Sequence, residues 1–408
     1  MDAQPTVSLK RAFNLPLLTF YGLGTILGAG IYVLIGEVAG LAGMAAPFAF
    51  LLASILATFS ALSYAELSAR FPVSAGEAIY VQQAFGIRSL SRLVGLLIAL
   101  IGLISSATLV RGFVGYFQLY VPLPEWQIIS LLVLLLGGLA MKGISESAWV
   151  AAITTVIEMA GLLLILVVAG ENLQQLPEQL PQMIPGASGI ALFGIVAGAF
   201  VAFYAYVGFE DIVNVAEEVK QPSRTLPRAI IISLVVTTIL YMLVSTVAVL
   251  TVPPAELANS KAPLALVYQQ ATGQAPYFIT AIGLAAVING ALIQIIMASR
   301  VLYGMSRQGW LPDVFGELHA TTRTPLKTTL MLCSVILVAA LWLPLLTLAE
   351  ITSLFTLLVF AVVNLSLWRV KGREPYVADA PLFPRWMPLC GFLFSTLFIL
   401  FQLWHWSQ

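Results

Sequence analysis

Charge is the scarcest feature of this sequence. Of 408 residues only 9% are Asp, Glu, Lys or Arg, whereas 60% are hydrophobic. An ordinary soluble domain is about 25% charged and about 45–50% apolar. A chain this poor in charge cannot cover an aqueous surface, so a soluble globular protein is excluded and an integral membrane protein is implied. The 19 basic and 19 acidic residues cancel, so no bulk attraction to nucleic acid is implied. Histidine is nearly absent: His319 and His405 lie far apart in the chain, and neither HExxH nor GxSxG occurs. A membrane enzyme would therefore lack an evident catalytic cluster. No GxxxxGK[ST] loop is present, so nothing here binds ATP. The two cysteines, Cys333 and Cys390, sit in apolar runs with no CxxC pair, read as packing residues, and are silent on redox compartment. No metal ligand set or cofactor is implied.

What is present is a succession of apolar runs. Lys10 and Arg11 precede the first, as in a signal peptide. That run is roughly 25 residues, longer than a signal-peptide core, and reads as an uncleaved first transmembrane helix. Eleven crossings are expected, at 15–40, 44–67, 92–120, 126–141, 148–170, 190–215, 229–250, 276–301, 327–343, 348–368 and 386–406. Pro344 marks a tight turn between the ninth and tenth. With a cytoplasmic N-terminus, seventeen of the nineteen Lys and Arg residues fall in inner segments; Lys261 alone falls outside and Arg111 within a helix. This positive-inside asymmetry sets the orientation. An odd count places His405 and Trp406 outside. Residues 171–188 read as an outer Pro-rich loop and 254–275 as an outer loop with a short helix. Residues 69–85 and 302–324 read as inner amphipathic surface segments. No soluble domain can be carved out, and residues 1–408 read as one membrane domain.

The first run carries GLGTILGAGIYVLIGE at 22–37, five glycines in one hydrophobic segment. Gly28-Ala29-Gly30 interrupts it. The sixth run is interrupted by YAYVGFED at 204–211, with Gly208, Glu210 and Asp211. Two breaks five helices apart match an inverted repeat of five helices plus five, here 15–170 and 190–370, with 384–406 outside it. In such folds the unpaired N–H and C=O groups of the breaks bind a polar substrate at mid-membrane. A half-helix N-terminus suits a carboxylate, and free carbonyls suit an ammonium. Close packing competes with this reading for any single glycine; Gly24 and Gly28 have GxxxG spacing, and Gly22 and Gly36 read as packing positions. A dinucleotide loop fails because no βαβ unit surrounds the glycines.

These stretches resemble the amino acid–polyamine–organocation superfamily of permeases. The resemblance rests on GTILGAGIYVLIG, AELSARFPVSAGEAIYVQQAFG, FYAYVGFEDIVNVAEEVKQPSRTLPRAI and NGALIQIIMASRVLYGMSRQGWLP, which occur in family order across nearly the whole chain. It implies an all-α, leucine-transporter-like 5+5 inverted repeat with broken first and sixth helices. It also implies a secondary transporter working by alternating access on an amino acid or related amine. Family members usually have twelve or more helices, and eleven are expected here. By the same resemblance Gly28, Ala29 and Gly30 hold the substrate carboxylate. Ile26 and the carbonyls near Tyr204 and Val207 take the amino group, Tyr204 stands at the aromatic gate, and Gly208 permits the break.

An ionisable residue at membrane depth is a functional hypothesis, because it costs several kcal/mol unless paired or hydrated. Glu158, halfway along the fifth helix, is the foremost case. It stands where the resemblance places a lysine in proton-coupled relatives. It reads as a proton carrier, as a cation ligand, or as a neutral glutamate bracing the first helix against the fifth. Glu210 reads as a gate or pH sensor, or as a cap on the second half-helix; Asp211 reads as a cap. Arg111, roughly 13 Å below the outer end of the third helix, lines a vestibule or snorkels. Glu37 and Glu66 read as solvated or capping residues near helix ends. Asn289 and Gln294 read as interhelical hydrogen-bonding residues. The expectation is a multi-pass carrier of the cell membrane coupled to protons, with an exchanger of the same fold as the alternative. A channel is disfavoured because no filter motif or charge ring appears. The substrate side chain and the oligomeric state stay open.

Overall fold

Each of the eleven expected crossings falls on helix among the described residues of the computed structural model of the chain, with an interruption at Val207 and Gly208 in the sixth. The structure describes residues 11, 13–27, 29–73, 76–142, 148–184, 189–319, 322, 324–376 and 380–407. Lys10 and Arg323, used above to set orientation, lie outside these. The helices are α1 (Leu15–Leu27), α2 (Ala29–Ala42), α3 (Ala46–Arg70), α4 (Gly76–Phe85), α5 (Arg88–Gln118), α6 (Glu125–Lys142), α7 (Ala148–Ala169) and α8 (Leu176–Met183). They continue as α9 (Gly189–Phe203), α10 (Pro222–Thr251), α11 (Pro254–Asn259), α12 (Pro263–Thr272), α13 (Tyr277–Arg307), α14 (Leu326–Trp342), α15 (Leu345–Arg373) and α16 (Trp386–Trp406). No strand occurs among the described residues, and a single β-bridge joins Phe13 to Val219.

Length and hydropathy explain which helices cross. Among the described residues, nine stretches are long and apolar enough to span a bilayer. The first, Gly30–Arg70, has 41 residues. At 1.5 Å per residue that is twice the roughly 30 Å of hydrocarbon, so it holds two crossings, α2 and α3. They are divided by a 3₁₀ turn at Gly43–Ala45. Two shorter apolar helices, α1 and α14, complete the set. Leu131, Leu134 and Leu135 expose one face of α6, as a lipid-facing helix requires.

Two sequence expectations are corrected. The outer segment 171–188 is not simply a loop: a 3₁₀ turn at Gly170–Gln175 leads into α8. Pro177 falls in the first turn of α8, where its missing N–H costs nothing. The inner amphipathic stretch expected from 302 begins too early, since α13 continues to Arg307. The outer segment 254–275 holds two short helices, α11 and α12.

Packing sets the broken helices inside a frame. α13 lies along α5 and α10 along α3, while α1 packs on α7 and α10 and α2 packs on α9. Gly22 and Gly36 do serve close packing: a side-chain carbon at Gly22 would strike Ile212, and one at Gly36 would lie 2.5 Å from the Leu257 carbonyl.

Glu66 is the clearest correction among the charges. It is fully buried, not solvated. Arg70 lies 2.7 Å from its Oε1 and Lys371 lies 2.6 Å from the same atom. The Phe383 N–H donates to Oε2 at 3.1 Å. Arg70 also donates to the Glu374 carbonyl at 2.7 Å. One carboxylate thus ties the end of α3 to the end of α15 and the approach to α16. Removing one member of a buried ion pair leaves uncompensated charge, at about 3–5 kcal/mol. Glu66→Ala is therefore expected to lower thermal stability in detergent by that amount; an unchanged melting temperature would contradict the arrangement.

Candidate functional site

The two candidate breaks lie between α1 (Leu15–Leu27) and α2 (Ala29–Ala42), and after α9. Gly28 lies outside the described residues, as does the side chain of Ala29. At the second break α9 ends at Phe203, a 3₁₀ turn covers Tyr204–Tyr206, and Val207 is extended. Gly208 then takes φ 130° and ψ −21°, and the chain resumes as a ten-residue 3₁₀ helix, Phe209–Glu218. Such a positive φ is open to glycine and strained for other residues.

The two breaks are pressed together. A side chain at Gly208 would collide with the Thr25 carbonyl, and one at Gly30 would lie 2.8 Å from Ala205 Cα. The Thr25 hydroxyl lies 2.9 Å from both the Gly22 and Gly208 carbonyls. Tyr241 on α10 completes the joint. Its hydroxyl lies 2.9 Å from the Ile26 carbonyl of the first break and 2.9 Å from the Ala205 carbonyl of the second. One donor is thus shared between backbone groups that lipid could not satisfy. The Tyr204 carbonyl accepts the Val207 N–H at 3.1 Å.

Between the breaks lies a cavity of about 30 Å³. Thr25, Ile26 and Gly30 line it from the first break, and Tyr204 and Val207 from the second. Ser105 and Leu109 of α5 and Gly290, Ile293 and Gln294 of α13 close it. No charged side chain is among these. Tyr204 is nearly buried, its hydroxyl 3.0 Å from Ser105 Oγ.

Glu158 is fully buried on α7 and is not among the lining residues. Its Oε1 accepts from Asn289 Nδ2 of α13 at 3.2 Å, and its backbone carbonyl accepts from the Tyr32 hydroxyl of α2 at 2.7 Å. It therefore sits where α7 meets both the helix after the first break and α13. Asn289 and Gln294 both bond between helices, as expected, but their partners are acids. Gln294 Nε2 donates to Asp211 Oδ2 at 3.3 Å. This corrects the capping assignment: Glu210 is the cap, its Oε2 accepting the Gly208 N–H at 2.8 Å, while Asp211 faces α13. Arg111 is part-exposed and pairs with Glu125 at 3.2 Å.

Residues 13–407 match one protein-family model, described as amino acid permease. The chain belongs to this family of amino acid permeases. The permease is 33% identical over 366 residues to the vacuolar cationic amino acid transporter 4 of Arabidopsis thaliana, covering 85% of this chain and 61% of that protein. It therefore spans about three fifths of that relative's length. It is 30% identical over 413 residues to the branched-chain amino acid permease BcaP of Lactococcus lactis, covering 94% of this chain and 87% of that one. It is also 28% identical over 395 residues to the methylthioribose transporter of Bacillus subtilis, covering 91% of this chain and 83% of the other. The family is one of multi-pass membrane carriers, not enzymes.

Four residues in or beside the candidate site escaped sequence reasoning. Thr25, Ser105, Tyr32 and Tyr241 sit in apolar helices, where a lone hydroxyl reads as core. Only for Thr25 was there a signal, its place three residues before Gly28. Removing a buried donor strands its acceptors at about 1–3 kcal/mol. Tyr241→Phe is expected to lower stability by that amount and to slow transport; equal melting and uptake would refute the shared-donor role. Gly208→Ala adds both a clash and a strained φ, and is expected to abolish transport while the protein still reaches the membrane, read by surface labelling beside uptake.

Proposed function

We propose that the chain is a secondary transporter for a small neutral amino acid, working by alternating access with proton symport. The observation carrying this is the cavity between the two breaks, lined by backbone, hydroxyls, the Gln294 amide and aliphatic side chains. Backbone at such breaks offers N–H groups to a carboxylate and carbonyls to an ammonium. By this reading Gly28, Ala29 and Gly30 receive the carboxylate, Ile26 and the carbonyls near Tyr204 and Val207 receive the amino group, and Tyr204 gates the site. The carbonyl of Ile26 would have to exchange Tyr241 for the substrate. Leu109 and Ile293 then face the substrate side chain, which favours an aliphatic one over a cationic one. The branched-chain permease among the relatives agrees with that choice; the cationic transporters point to the second reading, a basic substrate.

A cavity of about 30 Å³ has room for roughly one water molecule, not an amino acid. Loading therefore requires the broken helices to move against α5 and α13. We assign residues 15–170 and 190–370 as the two inverted repeats that supply this motion, with the side bearing the basic loops facing the cytoplasm. Competition of proteoliposome uptake by single amino acids tests the substrate class. Leucine, valine or alanine should compete, and preferential competition by lysine or arginine would replace this reading with the second.

Glu158 carries the coupling proton in this scheme, because it is buried against the helix that follows the first break. Glu158→Gln is expected to abolish accumulation driven by a pH gradient while counterflow persists. Unchanged accumulation would remove Glu158 from the mechanism, and uptake strictly dependent on internal substrate would indicate an exchanger.

A further inference from the structure

A second small cavity, of about 10 Å³, lies beside the first and holds the buried acids that the transport reading leaves unused. Three carboxyl groups line it: Glu77 of α4, and Glu210 and Asp211 just after the second break. They are 2%, 9% and 2% exposed. No Lys, Arg or His is among the described lining residues. Three carboxylates sharing an enclosed apolar space without a cation would be strongly disfavoured, and protonation relieves both the burial and the repulsion.

The lining also holds buried oxygen atoms with no hydrogen-bond partner. Gln294 Oε1 and Thr356 Oγ1 are such atoms, on residues 6% and 1% exposed. A protonated carboxyl is a donor, which is what unpartnered acceptors in this space lack. Gln294 has a further property: it lines both cavities and donates to Asp211. It is the side chain through which the acids adjoin the candidate substrate cavity.

The charged groups on the surrounding helices are engaged elsewhere. On α15, Lys371 bonds Glu66, Arg369 lies over the Phe85 ring and Arg373 donates to the Ala84 carbonyl. Arg70 of α3 is held by Glu66. Arg88 and Arg92 of α5, Arg224 and Arg228 of α10, and Arg300 and Arg307 of α13 are exposed, as is Glu217. The titratable neighbours are Tyr64 of α3 and Tyr80 of α4, whose rings pack edge to face. Burial pushes the Glu77 carboxyl up to about 7. Glu77 stands on the short helix joining α3 to α5, at the end of the molecule where Arg70 and Arg88 also lie.

We infer that Glu77, Glu210 and Asp211 form one proton-binding site, distinct from Glu158, that exchanges protons with the membrane side bearing the basic loops. On that side a carboxylate takes a proton from water to become a neutral carboxyl, and returns it by the reverse step. The proton is held against Gln294, so its presence alters the polar wall between the two cavities. The site's role in coupling rests on the proton-symport reading above; its existence does not.

Infrared difference spectroscopy of the protein in nanodiscs, stepped from acid to alkaline pH, reads protonated buried carboxyls directly. A carboxyl band should disappear with a midpoint near 7, and Glu77→Gln or Glu210→Gln should shift or delete it while Glu158→Gln leaves it in place. The same band in all the variants, or none in the parent, would overturn the site. Thermal stability gives an independent reading. The folded Glu77 carboxyl holds its proton to about pH 7 against an ordinary 4.5, so its contribution is full below 4.5 and is lost as pH rises through 7. Glu77→Gln should flatten that decline, and an equally steep decline in the variant counts against the proposal. In proteoliposomes, Glu77→Gln should lose pH-driven accumulation and keep counterflow; unchanged accumulation in both Glu77→Gln and Glu210→Gln would overturn the role in coupling. A parent protein that shows no uptake would sink the transport reading, while the spectra still decide the site.

Discussion

A helix that breaks inside a bilayer exposes N–H and C=O groups that lipid cannot satisfy. The organisation of this permease follows from how those groups are answered. The Tyr241 hydroxyl serves a carbonyl from each break, Thr25 reaches the Gly208 carbonyl, and the Glu210 carboxyl receives the Gly208 N–H. The first two are contacts between segments that must stay close, and the third is local to the second break. The glycines make that approach possible: Gly30 admits Ala205, and Gly208 both admits Thr25 and turns the chain. The cavity beside them is bounded by the backbone the breaks expose.

The charges obey the same economy. Acids within the fold have their burial offset in two ways. Glu66 gathers two cations and an N–H, forming a neutralised clamp between α3 and α15. Glu77, Glu210 and Asp211 have no cation among the described residues of the cavity they line, only amide and hydroxyl groups. The first arrangement suits a fixed joint, because separating the partners is costly. The second suits a group whose protonation changes, because neutrality depends on a bound proton.

How much of this was legible follows from the range of each signal. The crossings were readable because hydropathy is a local property of about 20 consecutive residues. Both breaks were readable because glycines and acids interrupt otherwise continuous apolar runs. Tyr241 was not, since an aromatic residue within an apolar helix is ordinary, and its partners lie 215 and 36 residues away. Glu66 misled for a related reason: a carboxylate near a helix end is usually hydrated, and the lysine that neutralises it is 305 residues distant. Asp211 was read as a cap and instead faces α13, because adjacent residues on a 3₁₀ helix point about 120° apart and only packing decides which one meets α13.

By itself the sequence determined that this is a many-helix membrane protein, where its helices interrupt, and which family it resembles. Those facts reside in composition, period and contiguous motif. The tertiary structure alone decided which hydroxyl holds the breaks together, which acid caps and which faces a neighbour, and that three carboxyl groups share one cavity. Those facts depend on distances between residues far apart in the chain, which only the folded backbone brings within reach.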